Sequence, residues 1–521
     1  MALAHAYSVA LVGVAGHVVE VEADIANGLV GMTLVGLPDT ALREARDRIR
    51  AAITNSGEQW PQRRITVGLS PASLPKRGSW FDLAIGCAIL AAAGSVPRDA
   101  AREVMCFGEL GLDGRIRPVR GVLPAVNRAA KAGFGTVLVA AENAAEAALV
   151  PGVRVIAAGT LTAAADWLRG TPGLHGEEMP AAEFDRSAPR GPGDGDAEGA
   201  GGGPDLAEVL GQAMARMGLE ICAAGGHHLS LLGPPGAGKT MLAERLPTIL
   251  PGLGTEDALD VTSVHSVAGT LPAGMPLLAV PPFLAPHHTA SKAAIVGGGS
   301  GGMLRPGAAS LAHRGVLFLD EAPEFARDVL DALRQPLESG EIVLARSGVT
   351  ARFPARFTLV MAANPCPCAK AARAGGCSCS PATRRRYLGR VSGPLLDRVD
   401  VKIELLPLGR KELLNDKGMA EPSAAVAARV AAARDRAARR LAGTPWRLNA
   451  EVPGSELRRT WPPAAGALRV VEKALDRGTI TARGVVKVVK VAWTIADLAG
   501  RDRPGRAECD SALGLWLGVA Q

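Results

Sequence analysis

The stretch HLSLLGPPGAGKTMLAERLPTIL, residues 228–250, limits the possible folds more than any other part of the chain. An apolar run of strand character feeds a glycine-rich loop, and the loop opens into a helical pattern. Gly233, Pro234, Pro235, Gly236, Ala237, Gly238, Lys239 and Thr240 fit G-x-x-x-x-G-K-[ST]. Its glycines let backbone N–H groups wrap phosphate oxygens. Lys239 is expected to neutralise the β- and γ-phosphates of ATP, and Thr240 to hold Mg2+. Strand, loop and helix in that order call for an α/β sheet, which a chance glycine-rich turn would not.

GVLFLDEAPEF, residues 315–325, supplies a second half. Four apolar residues read as a buried strand that delivers Asp320 and Glu321 at its end, where ligands sit in open α/β sheets. Asp320 is expected to bind Mg2+ through water, and Glu321 to orient the attacking water. A third strand, FTLVMAAN, ends at Asn364, an amide placed to sense the γ-phosphate. Arg398 in SGPLLDRVDV has the order and spacing of an arginine finger acting on a neighbouring subunit, against the alternative of a surface ion pair. Arg483 in TARGVV has the placement of a second sensor.

A chain of 521 residues suggests two to four domains. No run of about 18 apolar residues appears, and the first residues lack a basic n-region, so neither a membrane span nor a signal peptide is read. Eight cysteines are too few and too clustered for a secreted disulfide scaffold, so the cytoplasm is the expected compartment. Net charge +7 permits nucleic-acid binding without establishing it. Two Tyr, nine Phe and seven Trp make a single-strand reader built on aromatic stacking improbable.

Composition divides the chain into residues 1–170, an α/β or α+β region; 171–204, rich in Gly, Pro, Asp and Glu and read as a disordered linker; 205–408, the nucleotide-binding core; and 409–521, strongly helical and read as a lid.

The ordered set of P-loop, Asp-Glu, Asn364, Arg398 and Arg483 resembles the AAA+ ATPases. Longer segments are more specific. PPFLAPHHTASKAAIVGGGSGGMLRPGAASLAHRGVLFLDEAPEF, LRQPLESGEIVLARSGVTARFPARFTLVMAANPCPC and GLVGMTLVGLPDTALREARDRIRAAI resemble the YifB/ComM family of magnesium-chelatase-like AAA+ ATPases. The resemblance spans nearly the whole chain outside the linker. It implies a homo-hexameric DNA motor, with branch-migration helicase activity on single-stranded or branched DNA during recombination or natural transformation. The second reading is an ATPase subunit of a magnesium or cobalt chelatase. The chain departs from the family at Ala369, where glycine is usual, and at Lys487 and Trp493, where arginines are common.

The resemblance also gives residues 1–170 a Lon-protease-like (ribosomal S5 domain 2-like) fold. The place of the Lon serine falls on Trp80, with Ser79 one residue early, and Leu123, Pro124 and Ala125 stand where Lon carries its lysine. A hydroxyl without a nearby base is a poor nucleophile, so protease activity is not expected.

EIVLARSGVTARF reads as a β-hairpin with Arg346 near its tip; Arg346, and less firmly Arg352, could grip DNA phosphates in a pore, or the hairpin could be a solvated surface element. Five arginines, Arg429, Arg434, Arg436, Arg439 and Arg440, read as a solvated helix face, with DNA contact the other reading. Cys366, Cys368, Cys377 and Cys379 could make a tetrahedral Zn2+ site, or stand as reduced structural thiols; the resemblance places such a cluster here. His287 and His288 complete no metal spacing and fall in an insertion read as a pore or subunit-contact loop, or a structural turn.

Overall fold

The computed structural model describes residues 2–36, 41–74, 76, 78–171, 177–179, 203–272, 275–299, 304–346, 349–368, 377, 379–407 and 420–518. Two mixed α/β units are built around two sheets.

The front sheet begins with a long antiparallel hairpin of Ala2–Val12 (β1) and Ala15–Ala26 (β2). Val19, Val21, Ala23 and Ile25 of β2 are buried, whereas Glu20, Glu22 and Asp24 face the other way, the period-two pattern of a half-buried strand. The sheet adds Gly31–Val35 (β3), Arg64–Ser70 (β4), Met105–Phe107 (β5), Thr136–Ala140 (β6), Arg154–Ala158 (β7) and Glu177–Met179 (β8). Among the described residues its strand order is β8-β7-β6-β5-β1-β2-β4-β3. Ala41–Asn55 (α1) and Asp82–Ala93 (α2) are its first two helices, and α2 is apolar all round because it is buried all round. Within the stretch read as a linker, β8 pairs with β7; residues 172–176 and 180–202 lie outside the described residues.

On this sheet, Trp80 packs on Phe107 with ring centroids 5.5 Å apart. The Ser79 hydroxyl donates to the Glu109 carboxylate, a neighbour that nothing in the sequence flagged. Leu123, Pro124 and Ala125 are buried in Val122–Lys131 (α3). The Glu146 carboxylate accepts from the Leu123 N–H at 2.8 Å and from the Ser266 hydroxyl, tying the front unit to the second.

The second sheet is parallel throughout, in the order β10-β11-β14-β9-β15 once its strands are numbered along the chain: Leu229–Leu232 (β9), Phe283–Leu284 (β10), Val316–Leu319 (β11), Thr358–Ala363 (β14) and Val401–Glu404 (β15). Glu341–Arg346 (β12) and Val349–Pro354 (β13) form a separate antiparallel hairpin. This is the α/β arrangement that the P-loop context called for.

Ala213–Gly225 (α4), Lys239–Arg245 (α5) and Thr255–Ala268 (α6) accompany this sheet, followed by Lys292–Val296 (α7) and Pro381–Leu388 (α8). Past residue 420 the described chain is helical, with Ser423–Arg440 (α9), Ala482–Leu498 (α10) and Arg506–Leu517 (α11). Val488, Val491 and Ala492 put an apolar stripe of α10 into the core of the sheet.

The arginines of α9 correct the expectation of a solvated face. Arg429 pairs with Glu220 at 2.7 Å and with Glu421 at 2.7 Å, and Arg434 donates to the Ala223 carbonyl. Arg436 donates to the Asp497 carbonyl, and Arg440 clasps the Asp497 carboxylate. Arg439 is exposed. The helix directs most of its charge to intramolecular contacts because α4, α10 and Glu421 just before its own start offer it carboxylates and carbonyls.

Asp400, 1% exposed, sits beneath this layer, with the Lys487 ammonium 2.7 Å away. Burial by itself pushes the Asp400 carboxyl up, but Lys487 and His227 beside it hold it well below the usual carboxylate range. Removing one member of a buried pair strands the other charge. Lys487→Met is therefore expected to cost about 3 kcal/mol, read as a lower midpoint of thermal unfolding, with Lys487→Arg much closer to the parent. An unchanged midpoint in the methionine variant would show that Asp400 needs no counter-charge.

Candidate nucleotide site

The site is built where β9, β14 and β11 end together. Leu232 lies opposite Ala363 and Leu319 opposite Met361, so the residues that follow each strand emerge side by side. Gly233 opens the loop after β9, and a Cβ there would lie 2.8 Å from the Leu405 Cβ and 2.9 Å from the Leu405 carbonyl oxygen. Gly236 and Gly238 turn the loop in the left-handed region at φ 76° and 89°.

Lys239 is 8% exposed, and its Nζ donates to the Gly233 carbonyl at 2.7 Å, the Pro234 carbonyl at 2.9 Å and Asn364 Oδ1 at 3.0 Å. Burial lowers its pKa, and the Asp320 and Glu321 carboxylates oppose that shift. The Thr240 hydroxyl donates to Asp320 Oδ2 at 2.9 Å. A hydroxyl and a carboxylate in contact at a strand end offer the hard oxygen donors that Mg2+ takes. The structure thus brings the four together as two hydrogen-bonded pairs, Lys239 with Asn364 and Thr240 with Asp320, joined through the neighbouring Lys239 and Thr240. Glu321 follows, half-exposed, with φ 50°, an unusual backbone for a residue with a side chain.

Two neighbours of this cluster were not expected there: the sequence assigned His288 to an insertion loop and gave Tyr387 no role. His288 Nδ1 lies 3.4 Å from Glu321 Oε2. Tyr387 of α8 is buried close by; burial first, then the Glu324 and Glu321 carboxylates, push its phenol up to about 12.

Arg398 and Arg483 stand apart from the cluster. The Arg398 guanidinium donates to the Glu338 carboxylate, and Arg483 is exposed in the first turn of α10. Among the described residues, neither makes a hydrogen bond or ion pair with Lys239, Asp320, Glu321 or Asn364. The Arg346 guanidinium donates to the Gly299 carbonyl, and Arg352 pairs with Glu341 at 2.6 Å.

The Cys366, Cys368 and Cys377 sulfurs lie 3.0–3.3 Å from one another, and Cys379 completes a set within 4.8 Å. These separations are too long for a disulfide, whose S–S bond is about 2 Å, and four clustered sulfurs suit a tetrahedral thiophilic cation. Among the described residues, no helix is long and apolar enough to cross a membrane.

Three family models match the chain. Residues 205–413 match "Magnesium chelatase, subunit ChlI", residues 21–143 match "Subunit ChlI of Mg-chelatase", and residues 420–515 match "Magnesium chelatase, subunit ChlI C-terminal". An uncharacterised protein of Mycobacterium tuberculosis is 52% identical over 98% of both chains. Competence protein ComM of Haemophilus influenzae is 41% identical over 99% of this chain and 97% of its own. The uncharacterised protein YifB of Escherichia coli is 40% identical over 96% of this chain and 94% of its own.

The crowding at Gly233 yields a direct test. In Gly233→Ala, the loop or Leu405 must shift, and affinity for a fluorescent ATP analogue is expected to fall about 10-fold, or about 1.4 kcal/mol. Gly254→Ala, where a Cβ meets nothing within 4 Å, is the control. Equal affinities would mean that the loop does not depend on this close approach.

Proposed function

The chain belongs to the YifB/ComM family of magnesium-chelatase-like AAA+ ATPases, and on that premise we propose that it is an ATP-driven motor that moves DNA through a ring of identical subunits. The observation that carries the motor half is the pair of hydrogen bonds at the strand ends, Lys239 to Asn364 and Thr240 to Asp320.

In this reading Gly233, Pro234, Pro235, Gly236, Ala237 and Gly238 wrap the phosphates. Lys239 exchanges its loop carbonyls for β- and γ-phosphate oxygens. Asn364, already on Lys239, holds the water that attacks, and Glu321 polarises it. Thr240 and Asp320 hold Mg2+, which when bound neutralises charge on the phosphates. Arg398 serves the neighbouring subunit's nucleotide, a role supported by its guanidinium turning to Glu338 instead of to the strand-end groups of its own chain, and this requires a ring, taken as a hexamer. Arg483 senses the nucleotide from the helices past residue 420, which act as a lid. The front unit, residues 1–170, is a Lon-protease-like platform without protease chemistry.

The DNA half rests on the whole-length likeness to a competence protein and on Arg346 at the exposed end of a hairpin strand. A phosphate contact by Arg346 would explain an exposed arginine that, among the described residues, donates to a backbone carbonyl rather than to a carboxylate. The favoured substrate is single-stranded or branched DNA handled during recombination. The chelatase reading would predict a tetrapyrrole client instead.

Steady-state ATPase with and without single-stranded and branched DNA separates these. Stimulation by branched DNA, absent in Lys239→Ala and reduced in Arg346→Ala, is expected. Turnover indifferent to every DNA and raised by a porphyrin would favour the chelatase reading.

Cys366, Cys368, Cys377 and Cys379 are proposed to hold one Zn2+ as a structural clasp. Metal analysis of protein purified without chelators should give about one zinc per chain. A content far below that would leave the four as reduced thiols.

A further inference from the structure

A cavity of 590 Å3 lies at the far end of the second sheet from the nucleotide loop, and we propose that it is a second anion site, which takes a small ligand carrying a chain of phosphates. His228, Gly315, Thr358 and Asp400 line it, and they stand at or just before the first residues of β9, β11, β14 and β15. The nucleotide loop instead follows the last residue of β9, and the four residues of that strand put about 13 Å between the two places. The opposite wall comes from Arg434 of α9, Lys487 and Lys490 of α10, and the stretch around Trp446. Small-molecule sites run from about 300 to 1,000 Å3, so the volume suits such a ligand.

The charge of the walls decides the ligand's sign. Arg314, Arg356, Arg434, Arg447, Lys487 and Lys490 line the cavity against four carboxylates, Asp257, Glu338, Asp400 and Glu451, which leaves an excess of positive charge. Every one of those carboxylates already has a cation. Asp257 lies 3.1 Å from Arg314 and 3.2 Å from Arg447, and Asp400 lies 2.7 Å from Lys487. Glu451 is 3.8 Å from Arg356, and Glu338 accepts from Arg398. Arg434 and Lys490 are left over. Arg434 donates through Nε and Nη2 to the Ala223 carbonyl, and Lys490 Nζ donates to the Ala450 carbonyl at 2.6 Å. Among the described residues, neither has a carboxylate within ion-pair distance.

A main-chain carbonyl supplies a dipole but no charge, so two partly buried cations lack a counter-ion, an arrangement that costs free energy until an anion arrives. Burial, and then Lys487 beside it, push the Lys490 ammonium down to about 8, the same shortage of negative charge felt at one group. Both cations keep donors to spare: an ammonium has three N–H bonds, and Arg434 Nη1 is unused among the described residues. A phosphate chain accepts from such donors through several oxygens at once. Arg314 adds an independent sign, with φ 58°, since residues with side chains held in the left-handed region gather at ligand clamps. Trp446, Pro251, Leu253 and Pro281 also line the cavity, so a nucleoside attached to the chain has an apolar surface to lie on. A ligand there would join the start of the sheet to α9 and α10.

The test is equilibrium dialysis of inorganic triphosphate, and separately of ATP, against the full chain carrying Lys239→Ala, which removes the nucleotide loop's own cation. Without Mg2+, one equivalent of triphosphate should bind with a Kd of about 100 μM or lower. Adding Lys490→Met should weaken binding about 10-fold or more, the range of a lost charge-assisted hydrogen bond. Lys490→Arg, which keeps the charge, should stay within about 3-fold of the Lys239→Ala protein. The two probes separate the sources of the phosphates: ATP binding about 10-fold tighter than triphosphate identifies a nucleotide, and ATP binding no tighter identifies a bare phosphate chain, both in support of the site. No saturation by either probe up to about 1 mM overturns the proposal. Binding that Lys490→Met leaves unchanged belongs to the nucleotide loop and overturns it too. Should the methionine variant fail to fold, Lys490→Gln, which keeps a donor for Ala450 and removes the charge, decides by the same criterion.

Discussion

Every functional group in the core is placed by the register of one parallel ladder. Leu229–Leu232 hydrogen-bonds on one side to Thr358–Ala363 and on the other to Val401–Glu404. The Gly233 N–H donates to the Ala363 carbonyl at 3.1 Å, so the loop starts from a fixed point beside Asn364. A slip of one residue in β14 would turn Asn364 away from Lys239, because successive strand residues point to opposite faces. Buried Leu229, Leu231, Val316, Phe318, Val360 and Ala362 make such a slip costly, since it would carry apolar side chains out of their contacts. The chemistry of the strand ends is thus secured by packing several residues upstream.

The helices past residue 420 are fixed to that ladder by polar groups that have few alternatives. Thr494 of α10 meets His227 at 2.7 Å, Asn449 bridges Thr494 and Asp497, and Arg440 of α9 clasps Asp497 while lying 4.2 Å from the Trp493 ring centroid. Buried groups of this kind are weak sources of net stability but strict about geometry, because any other arrangement leaves one unpaired. His228, pushed by burial to about 4, stays neutral and accepts from the Leu359 N–H. Through His227, α10 is thus tied to the residues that lead into the interior strand β9.

Much of the core was legible because its signals are local. The strands around residues 228–232 and 357–364, the P-loop and the hairpin with Arg346 each occupy a short window with its own periodicity or turn chemistry. The front sheet was only half legible. Composition gave residues 1–170 only a mixed α/β character, whereas the β1–β2 hairpin shows in the period-two burial of β2, which composition does not reveal. The arginines of α9 were misjudged because a run of charge on a helix looks solvated until Glu220 and Asp497 are brought to it from elsewhere in the chain. Lys487 showed only as a departure from a family pattern, although it is the counter-charge of a buried aspartate.

The sequence by itself determined the nucleotide-binding loop, the strands that carry its partners and the family, because these depend on residue types at fixed spacings along the chain. The tertiary structure alone decided that Lys239 meets Asn364, that Arg398 turns to Glu338, and that His288 reaches Glu321. Those pairs lie 125, 60 and 33 residues apart in sequence. Contacts over such separations are set by sheet order and loop path, and neither is encoded in any short window. The physical reason is the same in each case: a strand dictates its own periodicity locally, but its neighbours only through the core it helps to bury.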